Sequence, residues 1–185
     1  MAFQKLTTSR LTLRFIKQSD IENIHNLQSI PEVDKYNTLG IPKDLSETKA
    51  VMMPSFKDLK QDAIKRYTFV IELNKSQEFI GLIALNLGNP KYKSAEVWYK
   101  LLPKYWRKGY ATETVNILLE FGFNTLKLHR IEAGCAVNNI GSIKVLEKVG
   151  MSYEGRKRKT LPLKSGWSDN FEYGILESDY KFSSK

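Results

Sequence analysis

A short basic stretch, residues 106–113, constrains the fold more than any other part of the chain, because two different periodicities meet there. Before it, residues 95–101 alternate between two sets of side chains, as a strand does. After it, apolar residues recur at helical spacing to about Leu126. The sequence therefore predicts a strand, a loop and a helix. A loop that enters a helix N-terminus leaves main-chain N–H groups available to an anion.

The composition of this loop allows two interpretations. Gly109 and Ala111 have little or no side chain, so a phosphate group could approach the main chain closely. Arg107 and Lys108 add positive charge beside it. The alternative is an ordinary strand-to-helix turn on a basic surface, and the stretch alone does not decide between the two.

The overall composition narrows the class of protein. A length of 185 residues predicts one domain over residues 1–185, and the absence of a long apolar run predicts a cytoplasmic protein without membrane contact. Cys135 is the single cysteine, which excludes an internal disulfide, and with only two histidines no histidine/cysteine metal site is expected. The 29 basic and 20 acidic residues give a formal charge of +9. This charge favours acidic partners such as a polyphosphate cofactor, an acidic protein surface or nucleic acid.

The remaining patterns predict a fixed order of elements. Strands are predicted near residues 6–17, 67–73, 79–87, 95–101, 129–137, 152–160 and 170–177, and helices near 20–29, 47–62, 110–126 and 140–149. Residues 31–45 are predicted to be a loop. Ser46 is the expected N-cap of the second helix, with Val51 facing inward and Pro54 causing a break or a later start. Gly150 is expected to end the last helix.

The order of these elements and several motifs resemble the GNAT N-acetyltransferases over nearly the whole chain. The loop Trp106-Arg107-Lys108-Gly109-Tyr110-Ala111 resembles the pyrophosphate-binding motif of that family, usually Gln/Arg-x-x-Gly-x-Gly/Ala. Further motifs resemble the RimJ/RimL-type branch, which includes acetylases of ribosomal-protein N-termini and relatives that act on small amines. These motifs are Pro103-Lys104-Tyr105-Trp106, Thr112-Glu113, Asn139-x-x-Ser142 and residues 145–151.

The resemblance implies an α/β fold with a central, mostly antiparallel mixed sheet and helices on both faces. In this fold the parallel pair 95–101 and 130–137 splays apart and binds acetyl-CoA as co-substrate, without a metal. The pantetheine would pair like an additional strand with the main chain near Tyr99 and Leu101, and Asn139 could bond its amide. The residues that would hold the pyrophosphate are Arg107, Lys108, Gly109, Tyr110, Ala111 and Thr112.

The chain departs from the family pattern at several positions. Trp106 replaces a polar residue at the first position of the loop motif, and Arg107 stands where a second glycine is common. Leu146 stands where many relatives carry the tyrosine that protonates the leaving thiolate, and Trp98 stands where glycine is frequent. These departures concern the general acid and the acceptor pocket more than cofactor binding.

The chemistry implied by the resemblance is direct attack of an amine on a thioester. It requires a neutral amine, a stabilised oxyanion and a protonated leaving group. Glu96 is the predicted general base, since it lies on the strand face opposite Tyr99, and the alternative is a solvent-facing strand glutamate. Ser142 is the candidate acid in place of the missing tyrosine. The rival donors are Tyr99, Tyr105 and Tyr110.

Other residues also have two interpretations. Asn139 is expected to act as an N-cap, which is compatible with a contact to pantetheine. Cys135 is expected to be a small buried residue, not a nucleophile. The basic run at residues 156–159 is expected to be a solvated strand or loop, the alternative being a contact with the CoA ribose phosphate or with RNA. Asp169 and Glu172 could hold a cationic acceptor or lie on the surface.

The sequence therefore favours an acetyl-CoA-dependent N-acetyltransferase acting on a protein N-terminal α-amine, with possible ribosomal-protein or ribosome contact. One alternative is a small-amine acetyltransferase acting on a polyamine or an antibiotic. Another is a non-catalytic module that binds CoA or contacts RNA. A monomer and a homodimer are both compatible with the sequence, and exposed aromatics such as Trp167 and Phe171 would suit an interface.

Overall fold

The computed structural model describes residues 5–59 and 64–183 of the chain. In this part the strands are β1 (Lys5–Thr7), β2 (Leu11–Phe15), β3 (Arg66–Leu73), β4 (Phe79–Leu87), β5 (Ser94–Leu101), β6 (Arg130–Ala136), β7 (Ser152–Leu163) and β8 (Gly166–Leu176). The helices are α1 (Ile21–Gln28), α2 (Pro31–Asp34), α3 (Leu45–Asp58), α4 (Tyr110–Glu120), α5 (Ile140–Lys148) and α6 (Glu177–Ser183). A π-helical turn, Phe121–Thr125, extends α4.

These strands form one sheet in the order β1-β2-β3-β4-β5-β6-β8-β7. Its neighbouring strands are antiparallel except for β5 and β6, which are parallel. The β5–β6 pairing covers only Ser94–Arg130, Ala95–Ile131 and Glu96–Glu132, although both strands continue beyond it. The two strands therefore separate after Glu96 and leave a gap that opens toward their carboxyl ends, which is called the splay below.

Helices cover both faces of the sheet, as predicted. On one face α4 and α5 pack through residues such as Val115, Leu118 and Leu146 against the largest apolar cluster. On the other face Ile24 of α1 and Phe56 of α3 pack against the outer side of β3 and β4. The predicted mixed α/β fold with a splayed parallel pair is confirmed.

The segment between α1 and β3 differs from its prediction. Pro31 begins the short helix α2 where a loop was expected, because proline suits the first position of a helix. Helix α3 starts before Ser46, since Asp44 accepts a hydrogen bond from the Glu47 N–H at 2.9 Å and is the true N-cap. The predicted end of this helix at residues 60–62 lies outside the described residues.

The inward face of α3 also differs from the prediction. Met52 is buried, whereas Val51 is 41% exposed, so the expectation that Val51 faces inward is wrong. Pro54 lies inside α3 and does not break it. No helix in the described part of the chain is both long and apolar enough to cross a membrane.

The carboxyl-terminal half follows the predicted order closely. Gly150 ends α5 with a φ of 86°, and the Met151 N–H donates to Leu146 O at 3.0 Å, which is the predicted Schellman-type end. Strands β7 and β8 are longer than predicted. Pro162 falls between the two predicted strands, but the structure places it within β7, an edge strand of the sheet, where proline is tolerated.

Candidate active site

The main chain of β5 presents polar groups to the splay. The Leu102 N–H donates to Ile80 O (2.9 Å) and the Gly88 N–H to Ser94 O (2.9 Å), both between the two antiparallel strands β4 and β5. Main-chain groups alternate sides along such a strand, so those of Tyr99 and Leu101 point away from β4 and into the splay. This is the strand edge that the sequence assigned to pantetheine.

Trp106 modifies this edge in a way that the sequence analysis missed. Its indole Nε1 donates to Leu101 O at 2.7 Å. The Leu101 carbonyl is therefore occupied, and the N–H of Leu101 and both main-chain groups of Tyr99 are the ones oriented toward a ligand. Trp106 replaces the polar residue usual at this loop position, and its indole N–H binds the Leu101 carbonyl.

The loop before α4 has the geometry of an anion site. Gly109 is the N-cap of α4 and has a φ of 79°, a left-handed conformation that favours glycine. The Glu113 N–H donates to Gly109 O (3.0 Å), which leaves the N–H groups of Tyr110, Ala111 and Thr112 without intrahelical acceptors. These groups and the positive end of the helix dipole suit a pyrophosphate.

Arg107 departs from the family motif in residue type, but it adopts the conformation of the missing glycine. Its φ is 58°, in the left-handed region, which costs an ordinary residue on the order of 1 kcal/mol. The loop thus keeps a turn that glycine would make easily. The substitution retains the backbone path and introduces a positively charged residue into the loop.

Glu96 lies where β5 and β6 cease to pair, directly beside Glu132 in the register. In the described part of the chain it makes no hydrogen bond or ion pair. Glu96 is a solvent-exposed residue, yet the surrounding strands desolvate its carboxyl enough to raise its pKa above the ordinary value. The negative charges of Glu172 and Glu132 raise this pKa further, and Lys157 opposes them. An unpaired carboxylate with a raised pKa is suited to accept a proton.

The first turn of α5 holds the other predicted catalytic residue. Asn139 Oδ1 accepts a hydrogen bond from the Ser142 N–H at 3.2 Å, so Asn139 is the N-cap of α5. The Ser142 hydroxyl lies 2.9 Å from the hydroxyl of Tyr99 on β5. Burial raises the pKa of Tyr99 to about 12, although the bond to Ser142 acts in the opposite direction. Tyr99 is therefore a neutral phenol that can donate to Ser142.

The other residues considered for the acid or nucleophile role are packed within the protein. Tyr105 is 8% exposed, and its ring packs edge-on against Tyr110 with centroids 5.9 Å apart. Leu146 is 1% exposed and belongs to the core. Cys135 is buried, and this burial raises the pKa of its thiol to about 11, with Ser142 opposing the shift. Of the three tyrosines considered as donors, Tyr99 is the one that contacts Ser142.

Glu96 and Ser142 lie on opposite faces of the sheet. Trp98, on the same side of β5 as Glu96, packs against the cluster that contains α1 and α3. Tyr99 packs against the cluster that contains α4 and α5. The carboxyl of Glu96 and the Tyr99–Ser142 pair therefore lie on opposite faces of the strands that border the splay.

The acidic residues at the carboxyl-terminal end of the sheet are paired internally. Arg156 Nε donates to Asp169 Oδ2 at 2.6 Å, and Lys157 Nζ lies 3.2 Å from Glu172 Oε1. Asp169 also accepts the Lys159 N–H at 2.8 Å. These contacts do not support the idea that Asp169 and Glu172 hold an acceptor amine. They also show that three residues of the basic run contact the protein itself.

The structure also contains a cavity that the sequence did not predict. Its volume is about 380 Å³, and it forms between the segment after α2 and the β7–β8 turn. Its lining includes Asp34, Leu39, Ile41, Pro162, Leu163 and Lys164. The two halves are more than a hundred positions apart in the chain, so no local pattern could reveal it.

Asp34 connects this cavity to the splay. Its carboxyl is 5% exposed and accepts a hydrogen bond from Asn37 Nδ2 at 3.2 Å. Burial lowers the pKa of Lys100 on β5, and the negative charge of Asp34 opposes that shift, so the two groups are close. The Tyr36 hydroxyl donates to Asn138 O (2.8 Å), just beyond β6. The segment after α2 thus reaches the open end of the splay.

A splayed parallel strand pair beside an anion-binding helix N-terminus defines an acetyltransferase of the GNAT class. A family model described as an acetyltransferase (GNAT) domain matches residues 10–152, and the chain belongs to this family. It is an acetyl-CoA-dependent N-acetyltransferase, and the predicted fold, enzyme class and co-substrate are confirmed.

Relatives and solved structures cover nearly the whole chain. An uncharacterised N-acetyltransferase, p20, from Bacillus licheniformis is 32% identical over 96% of this chain and 98% of its own length. The structure of spermidine N-acetyltransferase from Vibrio cholerae in complex with CoA and spermine has a TM-score of 0.83 at 27% identity, covering 94% of this chain and 99% of that one. The ribosomal-protein-S5-alanine acetyltransferase from Vibrio fischeri shares the fold with a TM-score of 0.81 at 23% identity, covering 95% and 98%.

Proposed function

We propose that the chain acetylates the α-amine at a protein or peptide N-terminus, with Glu96 as the general base and Ser142, supported by Tyr99, as the general acid. The observation that carries this proposal is the arrangement around the splay. An unpaired carboxylate lies on one face and a hydrogen-bonded pair of hydroxyl groups lies on the other. Direct transfer to an amine is helped by a proton acceptor for the amine and a proton donor for the leaving thiolate.

The residues that would hold acetyl-CoA are those predicted from the sequence. The N–H groups of Tyr110, Ala111 and Thr112 would bind the pyrophosphate, with charge from Arg107 and Lys108. Main-chain groups of Tyr99 and Leu101 would pair with the pantetheine. The Asn139 side-chain NH₂ makes no hydrogen bond in the described residues and would serve the same arm. Acetyl-CoA supplies an activated thioester carbonyl.

Glu96 would remove a proton from the incoming ammonium group, directly or through a water molecule. A raised pKa makes its carboxylate a better proton acceptor than an ordinary glutamate. Ser142 Oγ would donate a proton on the α5 face and regain one from the hydroxyl of Tyr99. The burial that keeps Tyr99 neutral ensures that this proton is present throughout the physiological range.

The acceptor would enter through the cavity beside Asp34. Polar and apolar residues line its walls in about equal measure, and the Asp34 carboxylate is the one acidic group among them. That composition suits one ammonium group with an attached apolar side chain. The RimJ/RimL-type motifs of the sequence support the same acceptor, and a ribosomal protein is one source of such an N-terminus.

A second candidate acceptor is a polyamine. It is favoured by the similarity to spermidine N-acetyltransferase from Vibrio cholerae. A polyamine carries several positive charges and requires several available carboxylates. In this chain Asp169 and Glu172 are paired with Arg156 and Lys157, which makes the polyamine the weaker candidate.

Release of CoA thiol measured with a panel of amines would test the proposal. We expect turnover with peptides that have a free N-terminus, and none with the same peptides after N-terminal formylation. Faster turnover of spermidine than of any peptide would reverse the ranking of acceptors. Tight acetyl-CoA binding by calorimetry without turnover of any amine would instead indicate a non-catalytic CoA-binding module.

A further inference from the structure

Arg10, in the turn between β1 and β2, contacts the loop before α4 from outside the splay. Its Nη1 donates to Lys108 O at 3.1 Å. Its guanidinium carbon lies 4.4 Å from the centroid of the Tyr110 ring. A Cβ placed on Gly109 would lie 3.4 Å from Arg10 Nη2. One side chain therefore contacts Lys108 and Tyr110 and lies beside Gly109, about a hundred positions later in the chain.

Glu113 holds Arg10 in this position. Arg10 Nε and Nη2 both reach Glu113 Oε2, at 2.6 and 2.5 Å, so the carboxylate binds two nitrogens of the guanidinium. The Thr8 hydroxyl and the Arg10 N–H donate to the other carboxylate oxygen. Burial alone would raise the pKa of Glu113, but the hydrogen bonds from Thr8 and Arg10 outweigh it and the pKa is lowered. Glu113 is thus ionised and anchored in the first turn of α4.

The contacts of Arg10 affect anion binding because they orient the main chain of the loop. A carbonyl that points into an anion site repels the anion, whereas N–H groups attract it. The bond from Arg10 fixes Lys108 O toward β1–β2, on the side away from a ligand. Arg107 and Gly109 both have left-handed φ angles, so the loop has conformational alternatives that must be suppressed. Holding it in the binding conformation before the ligand arrives reduces the entropic cost of binding.

The positive charge of Arg10 is largely neutralised by Glu113. Its guanidinium is bound on two nitrogens by the Glu113 carboxylate, which leaves little net charge for a phosphate. Its contribution is therefore one of geometry, and it differs from that of Arg107 and Lys108, whose side chains form no ion pair in the described part of the chain.

We propose that Arg10 and Glu113 are positioning residues for the donor substrate: together they lock the loop of residues 107–110 in the conformation that binds the pyrophosphate of acetyl-CoA. The inference rests on the proposed assignment of the pyrophosphate to this loop. It concerns donor affinity alone, because the clamp lies away from Glu96 and Ser142.

Two donors separate this role from a general structural one. Acetyl-pantetheine carries the thioester and the pantetheine arm but no pyrophosphate or nucleotide. For Arg10→Ala and for Glu113→Gln we expect KM for acetyl-CoA to rise about tenfold, with kcat at saturation changing less than about twofold. For acetyl-pantetheine we expect the KM values of both variants to match the parent chain. Arg10→Lys keeps the charge but loses the forked contacts and should behave like Arg10→Ala.

Arg14 provides a matched control, since its guanidinium is also doubly paired, with Asp20 and Glu72, but far from the loop. Arg14→Gln should lower thermal stability without a selective effect on acetyl-CoA. Equal rises in KM for both donors, or an unchanged KM for acetyl-CoA in the Arg10 and Glu113 variants, would overturn the clamp. If Gly109→Val also leaves acetyl-CoA binding unchanged, the pyrophosphate assignment itself is wrong.

Discussion

The hydroxyl of Tyr99 lies 2.9 Å from the hydroxyl of Ser142, although the two residues are 43 positions apart. This bond joins strand β5 to the first turn of helix α5 across the donor face of the splay. Leu146 cannot donate a proton from the position where many relatives carry a tyrosine. The Tyr99–Ser142 pair places a phenol on the same face, hydrogen-bonded to a serine.

Replacing either hydroxyl should slow the step in which the thiol leaves. We expect Ser142→Ala to lower kcat by about a hundredfold and Tyr99→Phe by less, because a positioned acid typically contributes at least this much. The double variant should be little worse than Ser142→Ala, since in the proposed mechanism the two groups form one relay. Steady-state kinetics with all three variants measure this.

The leaving group provides the control for that prediction. Acetyl thioesters of more acidic thiols need less protonation, so the deficit of Ser142→Ala should shrink with them. A deficit that is the same for every thiol would mean that Ser142 only maintains the structure of α5.

Glu96→Gln should lower kcat by about a hundredfold and remove the acid limb of the pH–rate profile. The carboxylate is the active form, so parent activity should rise as the pH rises through the raised pKa of Glu96. Glu172→Gln removes one of the charges that raise this pKa, and it should shift the acid limb to lower pH. The profiles at saturating acetyl-CoA measure both effects, and Glu120→Gln, on the exposed end of α4, is the control.

Glu96→Gln should lower activity but increase the stability of the fold at neutral pH. A carboxyl whose pKa is raised in the folded state resists ionisation there, so at neutral pH its charge opposes folding. Glu96→Gln is therefore expected to increase the unfolding midpoint at pH 7 and to have no such benefit below the ordinary pKa of glutamate. A lower unfolding midpoint of Glu96→Gln at pH 7 would show that the Glu96 carboxylate makes a stabilising contact, which contradicts its role as an unpaired base.

The sequence predicted the parts of the site that follow from local patterns. The alternation before residue 102, the helical spacing after Gly109 and the cap at Asn139 each depend on neighbouring residues. The splay was expected from the family resemblance. By contrast, the clamp by Arg10 and the role of Trp106 depend on contacts that only the folded sheet creates, and the cavity beside Asp34 depends on a helix that the sequence did not predict.

Asn139 has two roles that different substitutions should separate. Asn139→Ala removes the cap and should destabilise the fold by about 1 kcal/mol, as measured by urea unfolding. Asn139→Asp keeps an oxygen for the Ser142 N–H but loses the NH₂ group. We expect near-parent stability and a higher KM for acetyl-pantetheine in Asn139→Asp. If this variant has the KM values of the parent chain, Asn139 acts only as the N-cap of α5.

Cys135 should be unreactive. Burial raises the pKa of its thiol to about 11, so only about a thousandth of it is thiolate at pH 8. Alkylation by iodoacetamide in the folded protein should be far slower than that of glutathione, and should become fast in denaturant. Cys135→Ala should retain activity, because no acetyl-cysteine intermediate is expected. Loss of activity together with rapid alkylation of the parent chain would support a covalent route.

The cavity beside Asp34 can be tested through acceptor affinity. Asp34→Asn removes the one buried carboxylate of the cavity and nearly preserves the shape of the cavity. We therefore expect KM for a peptide acceptor to rise about tenfold and KM for acetyl-CoA to stay the same. Asp58 is an instructive control because it is also buried, at 6% exposed, and is paired with Arg66 at 3.0 Å in another part of the fold. Asp58→Asn should lower stability without a selective effect on the acceptor. If the two variants have the same kinetic effects, the acceptor does not contact Asp34, and the amine must reach Glu96 by another path.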